Sequence, residues 1–135
     1  MIKSDESSLE ERNKAVISRW IDEMWVERRW ELAPELAGPF YTRHESTGTF
    51  TVTIEEHMKK LQGLYGGKEK IDDSTEGAYE LIADGDKVCV LSWFKGFRKG
   101  GESDFDLYNS LQLYRLKDGK IVETWFPGFV KNVDW

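Results

Sequence analysis

His44 is the side chain in this 135-residue sequence best suited to proton transfer, because a neutral imidazole can accept a proton near pH 7. It lies in the segment FYTRHEST, where residues 40–45 predict a short strand. Glu45 would point to the opposite face if that strand is extended, so only one of the two side chains can face an enclosed site. The alternative is a structural histidine that is hydrogen-bonded to backbone at the end of the strand.

A second group of polar side chains lies in the segment from Asp104 to Leu116, which predicts another strand. Asp104 and Asp106 at its start could act as a general acid or base if they lie at the mouth of an apolar cavity, because desolvation raises the pKa of a carboxyl group. They could equally form a solvated rim. Alternation along the strand places one polar row on a single face, and this row comprises Ser110, Gln112 and Tyr114. The sequence leaves open which face of the strand is buried.

The sequence lacks the ligands of common metal sites. Cys89 is the single cysteine, which excludes an internal disulfide and a cysteine-built zinc site. His57, the second of two histidines, is expected on the polar surface of a helix, and Cys89 is expected to be a buried, inert thiol. We therefore expect neither a metal nor another cofactor.

The charge of the chain argues against polyanionic partners. Nineteen basic and 25 acidic residues give a net charge of −6, and the basic residues are interspersed with acids. We expect no nucleic-acid partner and no binding to anionic lipid. The sequence has no apolar run of about 18 residues, and its first residues, MIKSDESSLEER, lack the apolar core of a signal peptide. These features predict a cytoplasmic protein that does not contact membranes.

The apolar spacing predicts helices in the first half of the chain. Residues 1–8 are expected to fray, and residues 9–135 are expected to form one domain. Ser8 and Glu11 fit a capping box at the start of a long helix. Three- and four-residue spacing then predicts one buried stripe, which comprises Leu9, Val16, Ile17, Trp20, Ile21, Met24 and Trp25.

Shorter elements complete the predicted order. A second helix is expected from Trp30 to Leu36, ended by Gly38-Pro39, and a third is expected after the cap Thr53. Four strands follow, at residues 71–82, 87–98, 104–116 and 120–126. Helices followed by strands indicate an α+β architecture. We expect a curved antiparallel sheet wrapped around the long N-terminal helix, as a cone-shaped α+β barrel with an open mouth.

This order of elements resembles the nuclear transport factor 2-like superfamily, and within it the SnoaL-like polyketide cyclases and the relatives of ketosteroid isomerase. The most specific part of the resemblance is the run YRLKDGKIVETW, from Tyr114 to Trp125, and the segment FYTRHEST is the second part. The resemblance covers residues 9–130. It implies the fold more firmly than a reaction, because one fold hosts many functions.

The resemblance also implies positions for site residues. His44 corresponds to a pocket-facing Asp or His of the relatives, Gln112 to an oxyanion-binding carboxylic acid, and Trp20 to a pocket tyrosine. This alignment would place Ser110, Gln112 and Tyr114 inside the cavity. Cyclase relatives carry an aspartate a few residues after the tryptophan of the last strand, whereas FPGF follows Trp125 here. No complete set of catalytic residues known from the relatives is therefore present.

These observations lead to the hypothesis of a cofactor-free enzyme that isomerises, dehydrates or cyclises an apolar, polycyclic or polyketide-type molecule. His44 would be the base, and Tyr41 or Gln112 would donate a hydrogen bond. The expected substrate-binding residues are Trp20, Met24, Trp93, Asp106, Ser110, Tyr114 and Trp125. The alternative is a ligand-binding or accessory domain without catalysis. A broad apolar outer face of the sheet would favour a homodimer in either case.

Overall fold

The helices of the N-terminal half follow the predicted apolar stripe. In the computed structural model, α1 spans Leu9–Arg19 and continues as a π-helical segment, Trp20–Val26. Ile17, Trp20, Ile21 and Met24 of this stripe are buried, whereas Leu9 at its start is 47% exposed because it lies at the end of the helix, and Asn13 is buried although it is not on the stripe. The long first helix is thus confirmed, with π geometry in its second half. The structure describes residues 8–65, 76–95, 107–127 and 130–131, so residues 1–7, which we expected to fray, lie outside the described residues.

Both predicted hydroxyl caps are present. The backbone N–H of Glu11 donates to Oγ of Ser8 over 3.1 Å at the start of α1. The N–H of Glu56 donates to Oγ1 of Thr53 over 3.2 Å at the start of α3, Ile54–Tyr65. Each cap satisfies one of the backbone donors that the first turn of a helix leaves unpaired.

A short helical connection joins the first helix to the sheet. It consists of a 3₁₀ turn, Trp30–Leu32, and α2, Ala33–Leu36. These bounds match the predicted second helix. The extended residue Ala37 ends the helix directly and begins β1, so that Gly38 and Pro39, which were expected to end the helix, lie within the strand.

The strands predicted in the C-terminal half are present, and two further strands were not predicted. The strands are β1 Ala37–Glu45, β2 Gly48–Thr53, β3 Glu76–Asp84, β4 Lys87–Lys95, β5 Leu107–Lys117, β6 Lys120–Phe126 and β7 Val130–Lys131. β2 covers residues between the predicted first strand and the cap Thr53 to which no element was assigned, and β7 has only two residues. The predicted strand residues 71–75, 96–98 and 104–106 lie outside the described residues.

The sheet is mixed, which corrects the expectation of a purely antiparallel sheet. Its strand order is β2-β1-β6-β5-β4-β3, and β7 pairs with β5. β1 and β6 run parallel, while the other pairs are antiparallel. Parallel pairing is possible here because α3 and other strands separate β1 from β6 in the chain, so that no tight turn dictates their relative direction.

The helices cover one face of the curved, open sheet and produce the predicted cone-shaped α+β fold. α1 packs on β3 and β4, and α3 packs on β1 and β2. Two hydrogen bonds fix the first helix to the β3–β4 hairpin. The Gly85 N–H donates to the Glu10 carboxylate over 3.1 Å, and the Tyr79 hydroxyl donates to Asp22 over 2.8 Å.

Strand register assigns each side chain to the inner or the outer face of the sheet. Cross-strand partners share a face, and alternate residues along a strand do as well. One inner row comprises Ala83, Val88, Tyr114, Thr124 and Arg43. The neighbouring outer row comprises Ile82, Cys89, Leu113, Trp125 and His44.

Within the described ranges, the helices are all too short or too polar to cross a lipid bilayer.

Candidate active site

A cavity of about 300 Å³ opens between the inner face of the sheet, the π-helical segment and α3. Its volume is that of a pocket for a small organic molecule. The apolar part of its wall contains aromatic and aliphatic side chains and comprises Trp20, Ile21, Trp25, Val26, Leu61, Val90 and Phe126. Such a wall favours a flat, apolar ligand.

Tyr41 is the most deeply buried hydroxyl-bearing residue that β1 contributes to the cavity. Its ring stacks between Trp20, at a centroid distance of 6.0 Å, and His57, at 4.8 Å. Burial raises the pKa of the Tyr41 phenol well above its ordinary value. The hydroxyl therefore keeps its proton and can donate a hydrogen bond, whereas it cannot serve as a base.

Arg43, Glu45 and His57 form one polar cluster in the wall of the cavity. The Arg43 guanidinium makes an ion pair with the Glu45 carboxylate, and its Nη1 lies 3.3 Å from Nδ1 of His57. The side chains of Arg43 and Glu45 are 20% and 22% exposed, so a ligand in the cavity can reach them. Nε of Arg43 is buried without a hydrogen-bond partner among the described residues. A ligand oxygen at this cluster could satisfy that donor after a small side-chain shift.

His57 is a buried residue of the cavity, which corrects its expected position on the surface. It is only 5% exposed. Burial, together with the charges of Arg43 and Lys60, lowers the pKa of His57 to about 3. Because arginine only donates, Nδ1 must accept from Arg43, and the proton of the neutral ring is on Nε2. The ring is thus a hydrogen-bond donor at neutral pH.

The polar row of β5 faces this cavity. Ser110, Gln112 and Tyr114 all contribute to its wall. The Gln112 amide donates to Oγ1 of Thr124 over 2.9 Å, and Thr124 in turn donates to a backbone carbonyl. Burial raises the pKa of Tyr114 well above its ordinary value, while the indole N–H of Trp20 hydrogen-bonds to its hydroxyl. Tyr114 is therefore a second protonated phenol in the wall.

No protein-family profile and no curated protein matches this sequence. Solved structures match it over most of its length. A candidate polyketide cyclase of Acidithiobacillus ferrooxidans is 17% identical, with a TM-score of 0.69, over 88% of this chain and 89% of that one. A candidate SnoaL-like polyketide cyclase of Jannaschia sp. CCS1 is 20% identical, with a TM-score of 0.68, over 90% and 88%. The cone shape, the strand order and these superpositions together identify the fold.

The chain has the nuclear transport factor 2-like fold.

Structures with this fold differ widely in function. An LEH-like epoxide hydrolase of M. tuberculosis superposes with a TM-score of 0.63 at 11% identity, over 90% of this chain and 82% of that one. Other matching structures are NTF2-like proteins of unknown function. The fold that the sequence resemblance implied is thus confirmed. At these identities the activity must be argued from the residues in this cone.

His44 does not face the cavity of this nuclear transport factor 2-like cone, which corrects its expected position. Its Nε2 lies 2.6 Å from the Glu123 carboxylate, and its Nδ1 lies 3.0 Å from the Thr49 hydroxyl. Its ring stacks on Trp125, with centroids 4.9 Å apart. All three contacts are on the outer face of the sheet. Tyr41 and His44 are three residues apart, so one extended strand cannot turn both side chains to the same side.

The other predicted binding residues do not all line the cavity. Trp20 lines the cavity, but Met24 is fully buried in the core behind it and is not part of the wall. Trp125 belongs to the outer face with His44. Asp104 and Asp106 lie outside the described residues, as does the side chain of Trp93, whose backbone is part of β4. The roles predicted for these three residues stay predictions.

The structure also gives the burial of Cys89 and the spacing of the possible metal ligands. Cys89 is half-buried on the outer face rather than fully buried. Among the described residues, no three His, Cys, Asp or Glu side chains gather closely enough to hold a metal ion.

Two patterns in the sequence pointed to the residues that we missed. Alternation from the inward-facing Tyr41 selects Arg43 and Glu45 for the cavity face of β1. On α3, His57 shares the helix face of the buried residues Ile54, Met58 and Leu61. Their three- and four-residue spacing is that of a buried stripe.

Proposed function

We propose that this protein is an enzyme that moves a proton next to a carbonyl group of an apolar small molecule, without a cofactor. The observation that carries the proposal is the cluster of Glu45, Arg43 and His57 in a cavity whose wall is mainly apolar and aromatic. A carboxylate can accept a proton from carbon, and an apolar surrounding strengthens its electrostatic interactions. The cyclase and epoxide hydrolase named above are enzymatic examples of the same fold.

In the proposed reaction, Glu45 takes a proton from the carbon beside the carbonyl, and the electron pair moves onto the carbonyl oxygen. The resulting enolate needs hydrogen-bond donors. The phenols of Tyr41 and Tyr114 and the Nε2–H of His57 are suitable, because all three keep their protons at neutral pH. Return of the proton from Glu45 to another carbon gives isomerisation. Its transfer to a neighbouring hydroxyl, which leaves as water, gives dehydration. Attack of the enolate carbon on a second carbonyl, whose oxygen then takes the proton, gives cyclisation.

The lowered pKa of His57 decides which role this residue can have in the proposed reaction. A histidine whose pKa is lowered to about 3 is a poor base at neutral pH, because its conjugate acid is too strong. We therefore assign the base to Glu45 and the donor role to His57. This assignment replaces the sequence-based hypothesis in which His44 was the base.

The proposal is tested with 1-tetralone, a bicyclic ketone, by following exchange of the protons next to its carbonyl for deuterium by NMR. The wild-type protein should accelerate exchange above the buffer rate. Glu45→Gln should slow the catalysed exchange by about 10²–10⁴-fold, which is the usual contribution of a general base. His44→Gln is the matched control, because this neighbour on β1 faces away from the cavity. Equal rates for wild type and Glu45→Gln would contradict the assignment.

The second candidate function is ligand binding without catalysis. The pairing of the polar groups with one another, Arg43 with Glu45 and Gln112 with Thr124, favours it, since a preformed pocket needs no free base. Measurements on one preparation of the protein distinguish the two candidate functions. Tight binding of a ligand that co-purifies with the protein, identified by mass spectrometry, with no proton exchange above the buffer rate, would support the binding function.

A further inference from the structure

The cavity holds an excess of positive charge, although the whole chain is acidic. Arg43 and Lys60 are its cationic wall residues, Glu45 is its one carboxylate among the described residues, and His57 is neutral. The Arg43–Glu45 ion pair cancels one charge of each sign. The charge of Lys60 remains, so the wall carries one net positive charge, whereas the net charge of the whole chain is −6.

Lys60 is positioned at the mouth of the cavity. It lines the cavity and is nevertheless exposed, whereas His57, the other polar residue that α3 contributes to this wall, is buried. No carboxylate of the described residues forms an ion pair with it. Its charge is felt inside, because Lys60, after burial and Arg43, contributes to the lowered pKa of His57.

We propose that the cavity selects organic anions that carry a carboxylate at one end of an apolar body, with Lys60 binding the carboxylate at the mouth. This inference rests on the proposed function in one respect, because it assumes that the same cavity is the small-molecule site. The apolar body would lie against Trp20 and Trp25, and the ketone of a substrate would lie deeper, at Glu45. An uncharged molecule of the same shape would leave the net charge of the wall uncompensated.

The mixed composition of the wall separates the two ends of such a ligand. The two tryptophans of the wall, Trp20 and Trp25, lie on the π-helical segment, and the charged residues lie on β1 and α3. A flat ring can therefore stack while its substituent reaches the charged side. Specificity would come from the carboxylate, and most of the affinity would come from burial of the rings.

The test compares two probes of nearly equal shape, 2-naphthoate and 2-naphthamide, by isothermal titration calorimetry on the full chain. We expect 2-naphthoate to bind more tightly, and its advantage to shrink as salt is added, because the lysine is exposed to solvent. Lys60→Gln should weaken 2-naphthoate by about fivefold, the upper range for a solvent-exposed ion pair, and leave 2-naphthamide unchanged. Lys59→Gln is the matched control, since Lys59 is exposed on the same helix but does not line the cavity.

Three results would overturn the inference: equal affinity for the two probes, equal effects of Lys60→Gln and Lys59→Gln, or binding of neither probe at millimolar concentration. Both variants change exposed helix residues, and thermal unfolding will show that they remain folded. The outcome is independent of catalysis. The predicted weakening of 2-naphthoate binding in Lys60→Gln, combined with no proton exchange by any variant, would support this inference and reject the proposed reaction.

Discussion

At the scale of single residues, the site depends on which neighbours on a strand or helix face inward. Arg43 and Glu45 reach the cavity, while His44 between them pairs with Glu123 outside. Partial burial opposes ionisation of Glu123, but hydrogen bonds from His44 and Arg115 outweigh it and lower the pKa of Glu123. The polar side chains of the outer cluster therefore satisfy one another's hydrogen bonds. The inner cluster contains a buried neutral imidazole and a guanidinium N–H that has no hydrogen-bond partner in the described part of the chain.

His57 should make the stability of the protein depend on pH. Its pKa in the folded state is lowered to about 3, against about 6.5 in the unfolded chain. The unfolded chain therefore binds more protons between these values, and stability falls as pH drops through this window. Above about pH 6.5 the effect is absent. The penalty on acidification is on the order of a few kcal/mol.

The measurement is urea unfolding of wild type and His57→Gln at several pH values between about 4 and about 7. The variant loses ring stacking on Tyr41, so it should be less stable at neutral pH. Its stability should nevertheless decline less steeply with acid, because glutamine does not titrate. Parallel curves for the two proteins would show that His57 is not buried in its neutral form.

At the scale of elements, β1 and α3 carry the polar cluster and meet at Gly38. A Cβ added to Gly38 would lie 3.1 Å from Cβ of Ile54, the first residue of α3, and the backbone φ of Gly38 is +95°. Both the close approach and the left-handed backbone favour glycine. The start of α3 is thereby held against β1, which brings His57 to Arg43.

Gly38→Ala should destabilise the protein by about 1–3 kcal/mol, because alanine is strained at this φ and crowds a buried side chain. Gly63→Ala in α3 is the control, since nothing lies within 4 Å of a Cβ added there. Alanine in that exposed part of the helix should stabilise by about 0.4–1 kcal/mol. Chemical unfolding of both variants gives the comparison, and a loss at Gly63 as large as that at Gly38 would contradict the argument.

At the scale of the whole molecule, the outer face of the sheet exposes large apolar side chains. Leu91 and Leu111 are 47% and 56% exposed and are cross-strand partners, and Ile82 on the next strand is 58% exposed. Arg115 and Glu123 supply charges of both signs beside this apolar surface. A two-fold contact with a second copy would bury the leucines against their own kind and align opposite charges, so we retain the proposal of a homodimer.

Light scattering after gel filtration should therefore give twice the chain mass for the wild type. Leu111→Glu should give the mass of a single chain, because the like charges of two buried carboxylates would face each other. Phe50→Glu is the control, because Phe50 is also 47% exposed but does not belong to the leucine surface. It lies on β2 and shares the opposite face of the sheet with its cross-strand partner Arg43. A wild-type mass of one chain would reject the homodimer.

The sequence by itself determined the helices, five of the seven strands and their order in the chain. Ser8 and Thr53 marked the helix starts, because a hydroxyl satisfies the unpaired backbone donors of a first turn. The buried stripe through Ile17, Trp20 and Ile21 follows from helical spacing alone. These features are local, and the resemblance in the segment from Tyr114 to Trp125 added the fold.

Only the tertiary structure decided which histidine meets the cavity and how β1 pairs. The face of a strand that is buried depends on what packs against it, and His44 became an outer residue when the helices covered Tyr41 and Arg43. His57 reached the site because α3 packs on β1. The parallel pairing of β1 with β6 joins segments that are distant in the chain. Such contacts leave no local signal, since their energy comes from burial between elements rather than from neighbours in sequence.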